Sequence, residues 1–209
     1  VTDLGNVALL PGLINAHTHL EFSLLESPLG RAEMRFADWI GEVVAFRRGL
    51  ASEGRDLANY SRQATEAGLR ESVEAGVSGI GEIATPLWPA ESFESCPDVQ
   101  GTVFLELLGL AHERIEPLLA AAEQHLSART SPNCRRGLSP HAPYTVHPDL
   151  LRKVCELSAS KKAPLAMHLA ESFEELELLR SHSGPLVERL KELDAWHAGS
   201  IPRGIQPLD

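Results

Sequence analysis

Short apolar runs alternate along this chain with stretches of helical period. That alternation predicts βα units around a parallel sheet. The first predicted strand is 13–17, entered through Pro11-Gly12. A polar loop follows at 26–33, with Pro28 and Gly30. Then comes a long helical stretch at 36–75, read as two helices broken near 49–54. The second strand is 77–83, and Thr85-Pro86-Leu87-Trp88-Pro89 leaves it as a loop. The third strand is 102–108. The helix after it, 113–128, gathers Ile115, Leu118, Leu119, Ala122 and Leu126 on one face. The fourth strand, 136–139, runs into Pro140-His141-Ala142-Pro143. A helix at 148–160 opens on Pro148, which suits a first turn because no N–H is needed there. The fifth strand is 164–168. An acidic helix at 173–181, a break at Gly184-Pro185 and a helix at 186–193 follow. The tail, 201–209, has two prolines and no period.

Five strands leave two architectures open. A closed (β/α)8 TIM-type barrel needs eight strands and roughly 250 residues. The chain is therefore either an open five-stranded α/β sheet, which the pattern alone favours slightly, or part of a barrel. Its 209 residues, 43% hydrophobic, suffice for one core and are short for two domains. A net charge of −10 without a basic stripe argues against nucleic acid as a partner, because phosphate binding needs positive charge. The doublets Arg47-Arg48, Arg135-Arg136 and Lys161-Lys162 read as solvated surface. Three scattered cysteines without C-x-x-C spacing point to reduced thiols and a cytoplasmic protein. No run approaches the ~18 apolar residues of a membrane span. A start at Val1-Thr2-Asp3 leads us to expect that the chain begins inside a longer protein.

Histidines sit at three strand ends. In a strand, residues i and i+2 point the same way, so His17 and His19 can reach one ion from a single strand end. That end is the carboxyl end, where α/β barrels keep their active sites. His168 ends the fifth strand and would complete an open three-imidazole site. Glu171, just beyond it, either handles protons over that ion or serves as a helix-start carboxylate. His141, held between two prolines at the same rim, either donates a hydrogen bond to a substrate or is a buried turn residue. Trp88 either stacks on a planar ring or packs beneath its Pro-rich loop. Glu106, amid apolar residues of the third strand, is expected to face the barrel mouth. The remaining histidines, His112, His125, His147, His182 and His197, read as surface or capping residues.

Three segments carry a family resemblance: Pro11-Gly12-Leu13-Ile14-Asn15-Ala16-His17-Thr18-His19, Ser139-Pro140-His141-Ala142-Pro143-Tyr144 and Met167-His168-Leu169-Ala170-Glu171-Ser172. They resemble the amidohydrolase superfamily, in its branch of cytosine, guanine, S-adenosylhomocysteine and aminodeoxyfutalosine deaminases and chlorotriazine hydrolases. His19-Leu20-Glu21-Phe22-Ser23 is similar to the aminodeoxyfutalosine deaminase group. The resemblance implies a barrel and reverses the preference for an open sheet. It implies His17, His19 and His168 as ligands of one divalent metal, zinc first and iron as the alternative. Glu171 would be the proton shuttle, and His141 would contact a small-molecule substrate. The family's further His at strand six and Asp at strand eight have no counterpart after Glu171, and the flanking β-sandwich is missing. Residues 1–209 are therefore expected to be the N-terminal part of one barrel domain, strands one to five of eight. Open sheet edges would make that piece associate with itself as a homo-oligomer or aggregate.

The implied function is a metal-dependent hydrolase of C–N bonds other than peptide bonds, an aminohydrolase of a purine-like or nucleoside-like ring. A chlorotriazine-type hydrolase and a catalytically silent metal-binding fragment are the alternatives. A metal-dependent phosphoesterase is disfavoured by the acidic charge and the lack of phosphate-binding cations near the motifs.

Overall fold

The computed structural model describes residues 3–52, 54, 56–129 and 131–208. The expectations for Val1-Thr2, for Glu53 within the helix break and for Asp209 lie outside the described residues. The elements, in chain order, are β1 (Leu13–Thr18), a 3-10 turn (Leu20–Phe22), α1 (Phe36–Ser52), α2 (Leu57–Glu74), β2 (Val77–Ala84) and α3 (Ala90–Glu94). After these come β3 (Gln100–Leu107), a 3-10 turn (His112–Arg114), α4 (Ile115–Ser127), β4 (Cys134–Pro140), α5 (Pro148–Lys161), α6 (Phe173–Ser181) and α7 (Pro185–Glu192).

β1 to β4 pair in parallel and in sequential order, β1-β2-β3-β4. An open doubly wound sheet reverses its strand order at a switch point. Sequential order without reversal is the arc of a barrel, so topology decides between the two architectures left open above.

The predicted fifth strand is present only as a beginning. Leu165 makes a single parallel bridge to Leu138. Leu138 N–H donates to Pro164 O, Ala166 N–H to Leu138 O and His168 N–H to His141 O, at 3.0, 3.0 and 2.8 Å. No strand pairs its far side among the described residues, so the ladder stays one-sided. β1 is the other open edge, and Leu9, Leu10, Leu13 and Ile14 beside or within it are exposed. No helix is long and apolar enough to cross a membrane, among the described residues.

Strand parity separates the two faces of the sheet. Val103, Leu105 and Leu107 of β3 pack with Leu138 of β4, Ile115 and Ala122 of α4 and Leu150 and Val154 of α5, or with Leu69 of α2 and Phe93 of α3. A second helical layer sets Leu178, Leu179, Leu186, Val187 and Leu190 of α6 and α7 against Ala37 of α1 and Tyr144. Glu106 has the other parity and falls on the opposite, concave face. β1 approaches β2 so closely that a Cβ on Gly81 would lie 2.1 Å from Ala16 O. A glycine there is a packing requirement, and it fixes the strand end that carries His17.

Several elements differ from expectation. Residues 90–94 form the short helix α3, although the flanking prolines read as continuous loop; Phe93 is buried within it. Strands one, two and four run beyond their predicted limits, while strand three starts two residues earlier and ends one residue sooner than predicted.

Candidate metal centre

β1 ends where its ladder to β2 becomes irregular. His17 and His19 project from that end with their Nε2 atoms 3.3 Å apart. His168 reaches in from the fifth segment and brings its Nε2 to 3.0 Å from that of His17. One ligand nitrogen from each of the three residues lies within 4.8 Å of the others. In a tetrahedral site with Zn–N bonds of about 2.0–2.1 Å, neighbouring nitrogens stand about 3.3 Å apart. Two of the observed separations match that edge. Three neutral imidazoles have little reason to crowd their Nε2 atoms together unless a cation sits among them. The donor set therefore fits a zinc-class ion.

Surroundings hold the rings in the required form. The Nδ1 of His168 faces His141 O at 3.3 Å, which leaves Nε2 as the lone-pair nitrogen. Burial, then the charges of His17, His168 and Arg47, pushes the His19 pKa down to about 3. Burial and then His168 also lower the His17 pKa, against the raising effect of the nearby Glu171 carboxylate. A neutral ring is what a metal requires.

His141 lies beside this cluster, its ring centroid 5.0 Å from that of His168. Its Nδ1 is 2.7 Å from Thr145 Oγ1. That hydroxyl also lies 3.2 Å from Ala142 O, so Thr145 fixes the ring through Nδ1 and leaves Nε2 facing the site. Burial first, then His168, holds the ring neutral with a pKa of about 3. Glu106, only 5% exposed, stands 3.9 Å from that Nε2 and 3.5 Å from Arg47 Nη2. Burial raises its pKa, and Arg47 pulls it back.

Trp88 is not brought to the cluster. Its ring packs edge-on against Phe93 and His125, with Arg136 4.9 Å above it, on the helical side of the sheet. The reading of a Trp88 that stacks on substrate is therefore corrected: the ring packs among Phe93, His125 and Arg136, away from the histidine cluster. His125 is corrected with it, from surface to buried, and Arg136 is a packing residue instead of solvated surface. His147 does cap α5, its Nδ1 accepting from Asp149 N–H.

Arg47 is corrected from solvated surface to a residue of the site, and Glu82, Glu175 and Tyr144 went unread in the sequence. Arg47 extends from α1 to place its guanidinium between Glu21 and Glu106. Burial opposes its charge, but those two carboxylates outweigh it and raise its pKa. Glu82 shares the helical face of β2 with Ile80 and Ala84, and both its oxygens accept the Leu20 N–H, at 3.1 and 3.0 Å. That bond ties the turn after His19 to the sheet. A lone carboxylate in an apolar strand was the available signal, the same one that marked Glu106. Glu175 is completely buried under the turn that bears Glu171. Its signal was the S-x-x-E spacing of Ser172 and Glu175, a capping-box pattern. Tyr144 is buried, with its hydroxyl beside the Glu171 carboxylate. Burial, then the Glu171 and Glu175 charges, drives its pKa up.

Comparison with known proteins gives this arrangement a family. Residues 8–205 match the model of the amidohydrolase family, so the chain belongs to that family. An aminodeoxyfutalosine deaminase of Deinococcus radiodurans is 34% identical over 182 residues, which are 84% of this chain and 40% of that protein. An adenosine deaminase of Helicobacter pylori is 30% identical over 181 residues, 86% of this chain and 42% of that protein. The solved structure of Helicobacter pylori aminofutalosine deaminase in complex with methylthio-coformycin superposes with a TM-score of 0.72 at 26% identity, over 92% of this chain and 45% of that one. The chain thus spans about two fifths of the length of the curated relatives it matches.

Proposed function

We propose that the protein containing this chain is a metal-dependent aminohydrolase that removes the exocyclic amino group from a purine-like ring of a nucleoside-type substrate. The observation that carries this reading is the convergence of the His17, His19 and His168 nitrogens beside Glu171. Relatives named as deaminases of adenosine-like nucleosides support the choice of substrate class.

His17, His19 and His168 hold the metal, zinc first and iron as the alternative, since imidazole suits both. When bound, such an ion supplies a water with a pKa near ~7, acidic enough to serve as nucleophile at neutral pH. Glu171 takes a proton from the attacking water and passes it to the ring nitrogen next to the reacting carbon. The new C–O bond forms as the ring C=N is reduced to a single bond. The C–N bond to the amino group then breaks, the second water proton leaves with it, and ammonia and a ring carbonyl result. His141 makes a hydrogen bond to the substrate through Nε2, and Thr145 at Nδ1 holds that imidazole in place.

Residues 1–209 form, on this reading, the N-terminal part of one barrel domain, and this part alone binds metal without turnover. The exposed strand edges favour association of copies, and three free thiols fit a cytoplasmic setting.

The test is ammonia release by the metal-loaded intact protein across a panel of 6-aminopurine nucleosides with varied 5′ groups. Turnover of at least one is expected, with a loss of roughly 10²–10⁴-fold in Glu171→Gln. Absence of ammonia from every substrate, with metal bound stoichiometrically, would refute the reading.

A further inference from the structure

We propose that Glu175 is a positioning residue that sets the orientation of Glu171 through the backbone of the turn between them. This rests on the reading of Glu171 as the proton shuttle.

The turn after His168 is unusual. Ala170 adopts φ 55°, the left-handed region that an L-residue disfavours. A residue so placed persists only when its surroundings hold it. Here the holder is a single side chain. Glu175 Oε1 accepts from Ala170 N–H at 3.1 Å, and Oε2 accepts from Glu171 N–H at 2.8 Å. The carboxyl is wholly buried, so these bonds face no competition from water. Glu175 is itself fixed, because its own N–H donates to Ser172 Oγ at 3.2 Å, the N-cap of α6.

In an ordinary capping box the third helical carboxylate reaches back to the N-cap N–H. Glu175 reaches one and two residues further, past the cap, to the turn linking His168 and Glu171. A carboxylate gives each donor its own oxygen, whereas an amide would have to serve both from a single one. Stabilising α6 does not require that arrangement. Holding the Glu171 backbone at a fixed distance from His168 does. The Glu171 side chain is exposed and lies beside the Tyr144 hydroxyl, and its backbone sets where that carboxylate starts from.

The experiment compares Glu175→Gln with wild type in the intact, metal-loaded protein. Glutamine has one acceptor oxygen, and its NH2 would confront the second N–H. Three results are expected. Turnover per metal-loaded site falls about 10- to 100-fold, as a displaced catalytic group entails. KM and metal stoichiometry stay within twofold. The Ala170 and Glu171 amides exchange with solvent at least tenfold faster. A residue that merely capped α6 would lower the melting temperature and leave turnover per loaded site alone. Unchanged turnover per site together with unchanged exchange at both amides overturns the proposal. If Glu175→Gln does not fold, Glu175→Asp, which keeps both acceptors but shortens the reach, carries the same readings. Glu171→Gln separates the two levels. If it leaves turnover intact, the shuttle reading fails, while amide exchange still judges the clamp. If it abolishes turnover and Glu175→Gln does not lower it, the positioning role alone fails.

Discussion

Acid should destabilise this protein through His125, a residue outside the metal cluster. The ring is 6% exposed. Its Nδ1 stands 3.3 Å from an Arg136 guanidinium nitrogen, which can only donate, so Nδ1 is an acceptor. Nε2–H then donates to Val103 O at 3.3 Å. Charging the ring would place an N–H on Nδ1 against a cation in a buried site. Burial first, then Arg136, accordingly pushes the pKa from 6.5 to about 4, although the Val103 carbonyl acts the other way. The folded value lies below the unfolded one. Between them the unfolded chain binds more protons, so stability is intact above about pH 6.5 and falls as pH drops toward 4. The whole shift corresponds to about 3 kcal/mol, and the part lost between pH 7.5 and 5.0 to about 2 kcal/mol. Urea unfolding of the metal-free protein at those two values, wild type against His125→Gln, measures it. Glutamine stays uncharged and keeps one donor and one acceptor. His19 and His141 are common to both proteins, so their effects cancel in the difference. Wild type should lose about 2 kcal/mol more than the variant. Equal losses would show that the His125 environment does not exclude the proton, and the reasoning would be wrong.

Two further outcomes follow from the metal site and the strand that carries it. His17→Ala should lower zinc affinity about 10²–10³-fold, its share of the roughly 10–16 kcal/mol that four ligands supply in structural sites. Competition with a chromophoric chelator measures this, and a loss below tenfold would remove His17 from the ligand set. Gly81→Ala puts a Cβ against Ala16 O at 2.1 Å, so β1 must move. We expect a loss of about 1–3 kcal/mol together with weaker zinc binding, and an unchanged thermal melt would contradict the packing argument.

The sequence exposes whatever depends on local period. His17 and His19 share a direction because they are two residues apart on a strand, and Glu106 opposes Val103, Leu105 and Leu107 for the same reason. Helices at 148 and 173 were placed to the residue at their starts, because Pro148 and the polar cap before Phe173 are local signals. What escaped was fixed by distant chain. Arg47 looked like half of a solvated doublet, and only packing of α1 across the mouth carries it to Glu21 and Glu106. Trp88 and His125 each read plausibly alone, one as a stacking platform and one as surface. Their contact packs Trp88 against a buried His125, and no spacing within either segment encodes it. Glu175 lies between these cases. Its S-x-x-E spacing with Ser172 was legible as a cap, but the two N–H groups it accepts from lie upstream of the cap, where the left-handed Ala170 bends the chain back. A local motif thus announced that the carboxylate was engaged. Its object depended on one backbone dihedral that the residue type disfavours. Residues that bear the chemistry can be read from strand parity, whereas residues that aim them are recruited wherever the folded chain brings a partner within reach.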